Sequence, residues 1–170
     1  MLTITLPAVE FAEEFTVHLE HSLVSLSKWE AMTERAFYGH DEKTVEDTVS
    51  YIECMILDEN PPEKFRYRLN DDIVRQIDEY LNSKQTAAWF NDPAGPQRSS
   101  EVMTADLIYY WMVQFKIPFS CETWHLNRLL TLIRICSIKQ SPPKKMSPTE
   151  RNAEIRRLNA ERQAKLGTRG

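Results

Sequence analysis

Apolar and polar positions alternate at the start of the chain and then settle into helical spacing. "LTITL" (residues 2–6) and "EFTVHLE" (14–20) each alternate with period two and carry β-branched residues. They predict a small hairpin, with Pro7 to Glu13 as its connection and Phe15, Val17 and Leu19 on one face of the second strand. From Ser22 onward "SLVSLSKWEAMTERAF" reads as a helix, with Leu23, Leu26 and Ala31 on a stripe and Trp29 and Glu30 near its edge. Thr44 caps "VEDTVSYIECMIL", in which Val45, Val49, Ile52 and Ile56 recur at helical spacing. "NPPEKF" (60–65) ends that helix, because proline lacks an amide hydrogen and restrains its predecessor. Asn70 then caps "DDIVRQIDEYL", with Ile73, Ile77 and Leu81 in register and two aspartates at the positive end of the helix dipole.

After the proline- and glycine-containing loop "NDPAGPQRSS" (91–100), the pattern becomes nearly continuous. Thr104 caps a helix over 105–116 that is apolar almost all round, which predicts burial on every side. Pro118 breaks it. A second, amphipathic helix is expected from Cys121 to about Ile138, capped by Ser120. Trp124, Leu129, Ile133 and Cys136 lie on one side of it, and His125, Asn127, Arg128, Thr131 and Arg134 mostly on the other. "KQSPPKKMSP" (139–148) is a linker. The last segment opens with Ser147 at N-cap, Pro148 at N1 and Glu150 at N3, a capping box, but its stripe of Ile155, Leu158 and Leu166 is thin. The expected fold is mainly α: a small helical domain (1–139) with a short N-terminal β-hairpin element, then a linker and C-terminal basic helical arm (140–170).

Charge sharpens that division. From Pro143 to the end the chain carries eight Lys/Arg and three Glu, a net charge of +5, whereas the remainder carries 13 basic and 22 acidic residues, a net charge of −9. An acidic body with a basic tail predicts an interaction arm, or self-association into a homo-oligomer through opposite charges. Only Gly39 and Gly95 precede Gly167, so no phosphate-cradling loop can be written. The start of the chain lacks the basic and small-residue features of a signal peptide, no run is long enough for a membrane span, and the three cysteines are an odd number at irregular spacing. These features predict free thiols in a reducing cytoplasm and no membrane association.

The chemistry-bearing residues gain little from their neighbours. Cys121 and His125 have usable metal-ligand spacing, but a structural zinc needs two more ligands and there is no CxxC, so no metal or other cofactor is expected. Cys54, Cys121 and Cys136 lack an evident paired base, and Asp71–Asp72 is accounted for by the helix dipole, so no catalytic residue is assigned. Residues 106–135 have the outline of a helix–turn–helix, yet they belong to the acidic body, and nucleic acid is not the expected partner. The aromatic residues Tyr109, Tyr110, Trp111, Phe115, Phe119 and Trp124 read as core or interface. Protein–protein contact is therefore assigned to Trp124, His125 and Arg128 on the body, and to Arg151, Arg156, Arg157 and Arg162 on the arm.

"MLTITLP", "LEHSLVSLSKWE" (19–30) and "LIYYWMVQFKIPFSCETWHLNRLLTLIRICSIK" (107–139), followed by "PPKKMS" and the basic tail, resemble a family of small proteins from the tail gene clusters of tailed bacteriophages. The similarity covers most of the chain and is weakest over residues 58–100. It implies a small, mainly helical, non-enzymatic protein acting as a tail assembly chaperone, with the phage tape measure protein or another tail protein as partner in the cytoplasm of the bacterial host. The alternatives are a structural virion protein of the tail or its junctions, and a nucleic-acid-binding regulator acting through the basic arm.

Overall fold

A computed structural model describes residues 1–8, 13–62, 64–88, 101–140 and 148–166, without the side chains at 148–151 and 164–166. The chain is mainly α-helical with a short N-terminal hairpin. Contacts divide it into two units, Met1–Ile138 and Lys139–Gly170.

Strands β1 (Leu2–Leu6) and β2 (Phe15–Leu19) pair antiparallel, with Leu2 opposite Leu19, Ile4 opposite Val17 and Leu6 opposite Phe15. Alternation does what it predicts. Ile4, Leu6, Val17 and Leu19 are buried, while Thr3, Thr5 and Thr16 face outward. Phe15, at the end of its strand, is only partly covered. Residues 55–57 run along β2, with the Leu57 amide donating to His18 O at 2.9 Å and the Glu20 amide to Met55 O at 2.9 Å. One buried cation fastens the open end of the hairpin. Arg68, in the 3₁₀ turn Phe65–Arg68, donates to Leu6 O, Pro7 O and Glu13 O over 2.6–3.2 Å.

Helix α1 (Leu23–Thr33) starts with a reciprocal cap between Ser22 and Ser25. It presents Leu23, Leu26 and Trp29 to the core, whereas Ala31 is exposed. Helix α2 (Val45–Cys54) starts with the same device, Thr44 with Asp47. Its orientation departs from the expected stripe, because Val45 is 82% exposed while Asp47, Ser50, Tyr51 and Ile52 face inward. Polar bonds fix this rotation: Ser50 Oγ accepts from the Trp29 indole at 3.0 Å, and Asp47 is held by Arg35 and Thr44. Helix α3 (Asp71–Asn82) has the expected cap, Asn70, and buries Ile73 and Ile77 as expected, with Tyr80 as the third buried residue where the stripe had Leu81, which is partly covered.

Helix α4 (Ala105–Gln114) begins at Thr104 as expected, and its first amide donates to Glu30 Oε2 at 2.7 Å. It is not buried all round. Ala105, Ile108 and Met112 are enclosed, but Tyr110 and Val113 are 56% and 57% exposed. After Pro118 the chain winds through a 3₁₀ turn, Phe119–Thr123, and extends at Trp124 before α5 (Leu126–Gln140). The expected start at Cys121 with Ser120 as cap is therefore corrected. His125 bridges to Ser22, and the Leu126 amide donates to His21 O at 2.7 Å, so a tertiary bond sets where the helix begins. Helix α6 (Pro148–Leu166) constitutes most of the second unit. Its expected cap Ser147 and the 91–100 loop lie outside the described residues.

Every fully covered core residue among those described falls between Ile4 and Ile133. Deletion of residues 141–170 is accordingly expected to leave a folded body with one cooperative thermal transition by circular dichroism. Loss of that cooperativity would place the arm in the core.

Candidate functional site

Side chains on α4 three or four residues apart share a face. Tyr109, Val113 and Tyr110 fall within about a 100° sector of the helix, by the rotation per residue of an α-helix. Tyr109 anchors one side of this sector. Its hydroxyl donates to Glu122 at 2.9 Å, and its ring lies 6.1 Å from that of Phe119. Phe119 is itself 55% exposed, so Tyr110, Val113 and Phe119 form an apolar, partly aromatic surface beside a fixed 3₁₀ turn. The sequence marks Tyr110 and Phe119 as core or interface without deciding between the two, and it does not single out Val113, because periodicity has no means of telling core from interface.

Trp124 and Arg128 lie at the next junction along the chain. Trp124 is half-buried, and the Arg128 guanidinium stacks 4.2 Å from its ring centroid while remaining exposed. This pair is available for contact. His125 is not. It is 6% exposed and serves as the cap of α5, its Nδ1 accepting from the Asn127 amide at 3.3 Å. That bond requires an unprotonated Nδ1, so the proton is on Nε2, which donates to Tyr80 O at 3.1 Å. The expected surface position of His125 is thus corrected: both ring nitrogens are committed inside the fold.

A second buried histidine touches it. The His21 and His125 rings meet edge to face at 5.1 Å, and His21 Nδ1 is 2.6 Å from the Tyr51 hydroxyl. Burial, reinforced by His125, pushes the His21 pKa down to about 3. Burial also lowers that of His125. Neutral imidazoles therefore tie β2, α2, the end of α3 and the start of α5 together. Tyr80 completes the cluster by donating to Glu20 Oε1 at 2.5 Å. These residues are 20 or more positions apart in most pairs, and no local pattern points to them.

On the arm, Arg156, Arg157 and Arg162 are exposed. Arg157 is shared between Glu154 and Glu161, at 2.7 and 3.1 Å, which lowers its free positive field. Ile155 and Leu158 are exposed beside it. The Arg151 side chain lies outside the described residues.

Cys54, Cys121 and Cys136 are free thiols, and burial raises the pKa of Cys54, the direction opposite to nucleophile activation. Among the described residues no three His, Cys, Asp or Glu side chains converge on a common point, and no helix is long and apolar enough to cross a membrane. No protein-family model, curated protein or solved structure matches the chain.

Proposed function

We propose that this chain is a bacteriophage tail assembly chaperone: a non-enzymatic protein of the host cytoplasm that binds the tape measure protein while the tail is built. The observation that carries the reading is the exposed Tyr110, Val113 and Phe119 surface on α4 and the turn after it. Large apolar side chains left on one sector of a helix suit an amphipathic helix of a client, which supplies its own apolar anchors at matching spacing. The stacked Trp124–Arg128 pair adds an aromatic and a cation of the kind enriched at such contacts. The identity of the client comes from the resemblance of residues 19–30 and 107–139 to phage tail-cluster proteins. Arg156 and Arg162 on the arm supply a second, electrostatic contact.

Co-expression with tape measure segments provides the test. The chain should co-purify with them, and the double variant Tyr110→Glu, Val113→Glu should lose at least about tenfold in affinity with unchanged circular dichroism, as expected when charges enter an interface. Retained affinity would remove α4 from the contact. Mass spectrometry of purified virions tests the chaperone role itself. Absence from mature particles is expected, and abundant copies there would instead make the chain a structural component of the tail.

A further inference from the structure

A cleft of about 330 Å³ opens between the end of α3, the segment after α1 and the first turn of α5. It is lined by His21, Phe37, Tyr38, Asp78, Asn82 and Asn127. What distinguishes it is where the hydrogen-bond donors have gone. Asn82 Nδ2 gives its hydrogens to Asp78 O and Asp78 Oδ1, at 2.9 and 3.1 Å. Asn127 Nδ2 gives both of its own to Leu81 O and Ser83 O, each at 2.9 Å. Carbonyl acceptors on those nitrogens fix the orientation of both amides, since the flipped forms would set oxygen against oxygen.

Apart from the Tyr38 hydroxyl and His21 Nε2, the polar side-chain atoms left over are acceptors. Among the described residues, Asn82 Oδ1, Asn127 Oδ1 and Asp78 Oδ2 have no partner. His21 is 4% exposed, and its Nε2 has no partner among the described residues, Nδ1 being bonded to Tyr51. No fully enclosed nitrogen or oxygen of a described side chain lacks a partner, so Nε2 reaches accessible surface. The buried Tyr51 hydroxyl donates to Nδ1, its one acceptor among the described residues, so the imidazole proton is on Nε2 and His21 adds no acceptor to the cleft. Asp78 is the one charged group among these six residues, and Tyr38 supplies an aromatic wall. Phe37 already receives a cation from within the chain, Lys43 Nζ lying 4.8 Å from its centroid.

We infer that this cleft is a receptor for a guanidinium group, the side chain of an arginine presented by another polypeptide. A planar cation with five donors answers the two amide oxygens and the one carboxylate, and it stacks on an aromatic wall. A neutral donor would meet the amide oxygens but leave the Asp78 charge unpaired, and an anion would be repelled by it. This assignment stands on the cleft alone and does not depend on the tail-assembly reading.

The full-length, isotopically labelled chain is titrated at low salt with N-acetyl-L-arginine amide and, in parallel, with the citrulline analogue, which has the same shape without the charge. Saturable shifts at Tyr38, Asn82, Asn127 and the His21 ring are expected, with a Kd on the order of millimolar for so small a ligand. The citrulline compound, and the Asp78→Asn variant with arginine amide, should each bind at least about threefold more weakly, the range of a partly exposed ion pair. Unchanged Trp29 indole signals verify the fold of the variant. Equal binding of both compounds, indifference to Asp78→Asn, or shifts that map elsewhere would overturn the inference. A peptide of residues 148–166 identifies the source: tighter binding than the amide assigns the arginine to a second copy, and equal binding assigns it to a different protein.

Discussion

Arg68→Ala should destabilise the body by about 2–4 kcal/mol, measured as a lowered midpoint of urea unfolding at unchanged m value. Arg68 is 3% exposed and its donors meet three main-chain carbonyls, Leu6 O, Pro7 O and Glu13 O. Two of these belong to the end of β1 and its exit, and the third precedes β2, so a single fork closes the open end of the hairpin. Two effects oppose each other here. Burying a guanidinium without a carboxylate is costly, which argues that its removal could help. Removing it, however, strands three carbonyls beside a core that contains Leu6 and Phe65, and charge-assisted bonds of this kind contribute about 1.5–3 kcal/mol each. The second effect is larger because several bonds are lost together. Arg68→Lys should recover less than half of the loss, since one ammonium cannot span the same set of acceptors. An Arg68→Ala protein as stable as the parent would show that these carbonyls are hydrated and that the fork is dispensable.

The parts of this fold that could be read from sequence are those set by local chemistry. Thr44, Asn70 and Thr104 announce three helix starts, because a side-chain oxygen placed before an apolar-periodic run satisfies amides that nothing else reaches. The hairpin is equally local, with Ile4 and Leu6 facing Val17 and Phe15 by alternation alone. Misreadings occur where a distant residue decides. Val45 continues an apolar stripe in sequence but lies 82% exposed, because Trp29 and Arg35 draw the Asp47–Ser50 face inward. His125 belongs to a polar helix face only if the helix starts at Cys121. The His21 carbonyl, about a hundred positions earlier, stops that from happening. The cleft was illegible for the same reason, since residues 21, 38 and 127 meet the Asp78–Asn82 turn of α3 only in the folded chain.

Acidification from pH 8 to pH 5 should cost the protein about 2 kcal/mol through His21 alone, and more with His125 added. The sign follows from the direction of the shifts. Both imidazoles titrate below their ordinary value in the folded chain, His21 at about 3, whereas in the unfolded chain they take up protons near 6.5. The unfolded state therefore binds more protons throughout the interval between, and stability that is complete above 6.5 is lost as pH falls through it. The groups around the pair do not reverse this. Tyr51 and Tyr80 are phenols whose pKa values burial raises, and among the described residues Glu20, which accepts from Tyr80, is the one carboxylate in hydrogen-bond contact with the cluster. Asp47 and Asp58 also have lowered pKa values, but carboxylates make their loss felt below about pH 4, which keeps the two regimes apart. Thermal unfolding followed at half-unit steps should show the midpoint dropping by about 2–4 °C per kcal/mol for a chain of this size. His21→Gln, which retains a hydrogen-bonding group for Tyr51, should remove about one proton's worth of slope between pH 6.5 and pH 5. His125→Asn preserves a capping oxygen for α5 and should remove a further part. A midpoint that stays level over that interval in the parent protein would mean that these histidines accept protons without opening the junction they hold, and a slope that survives both substitutions would assign it to other groups.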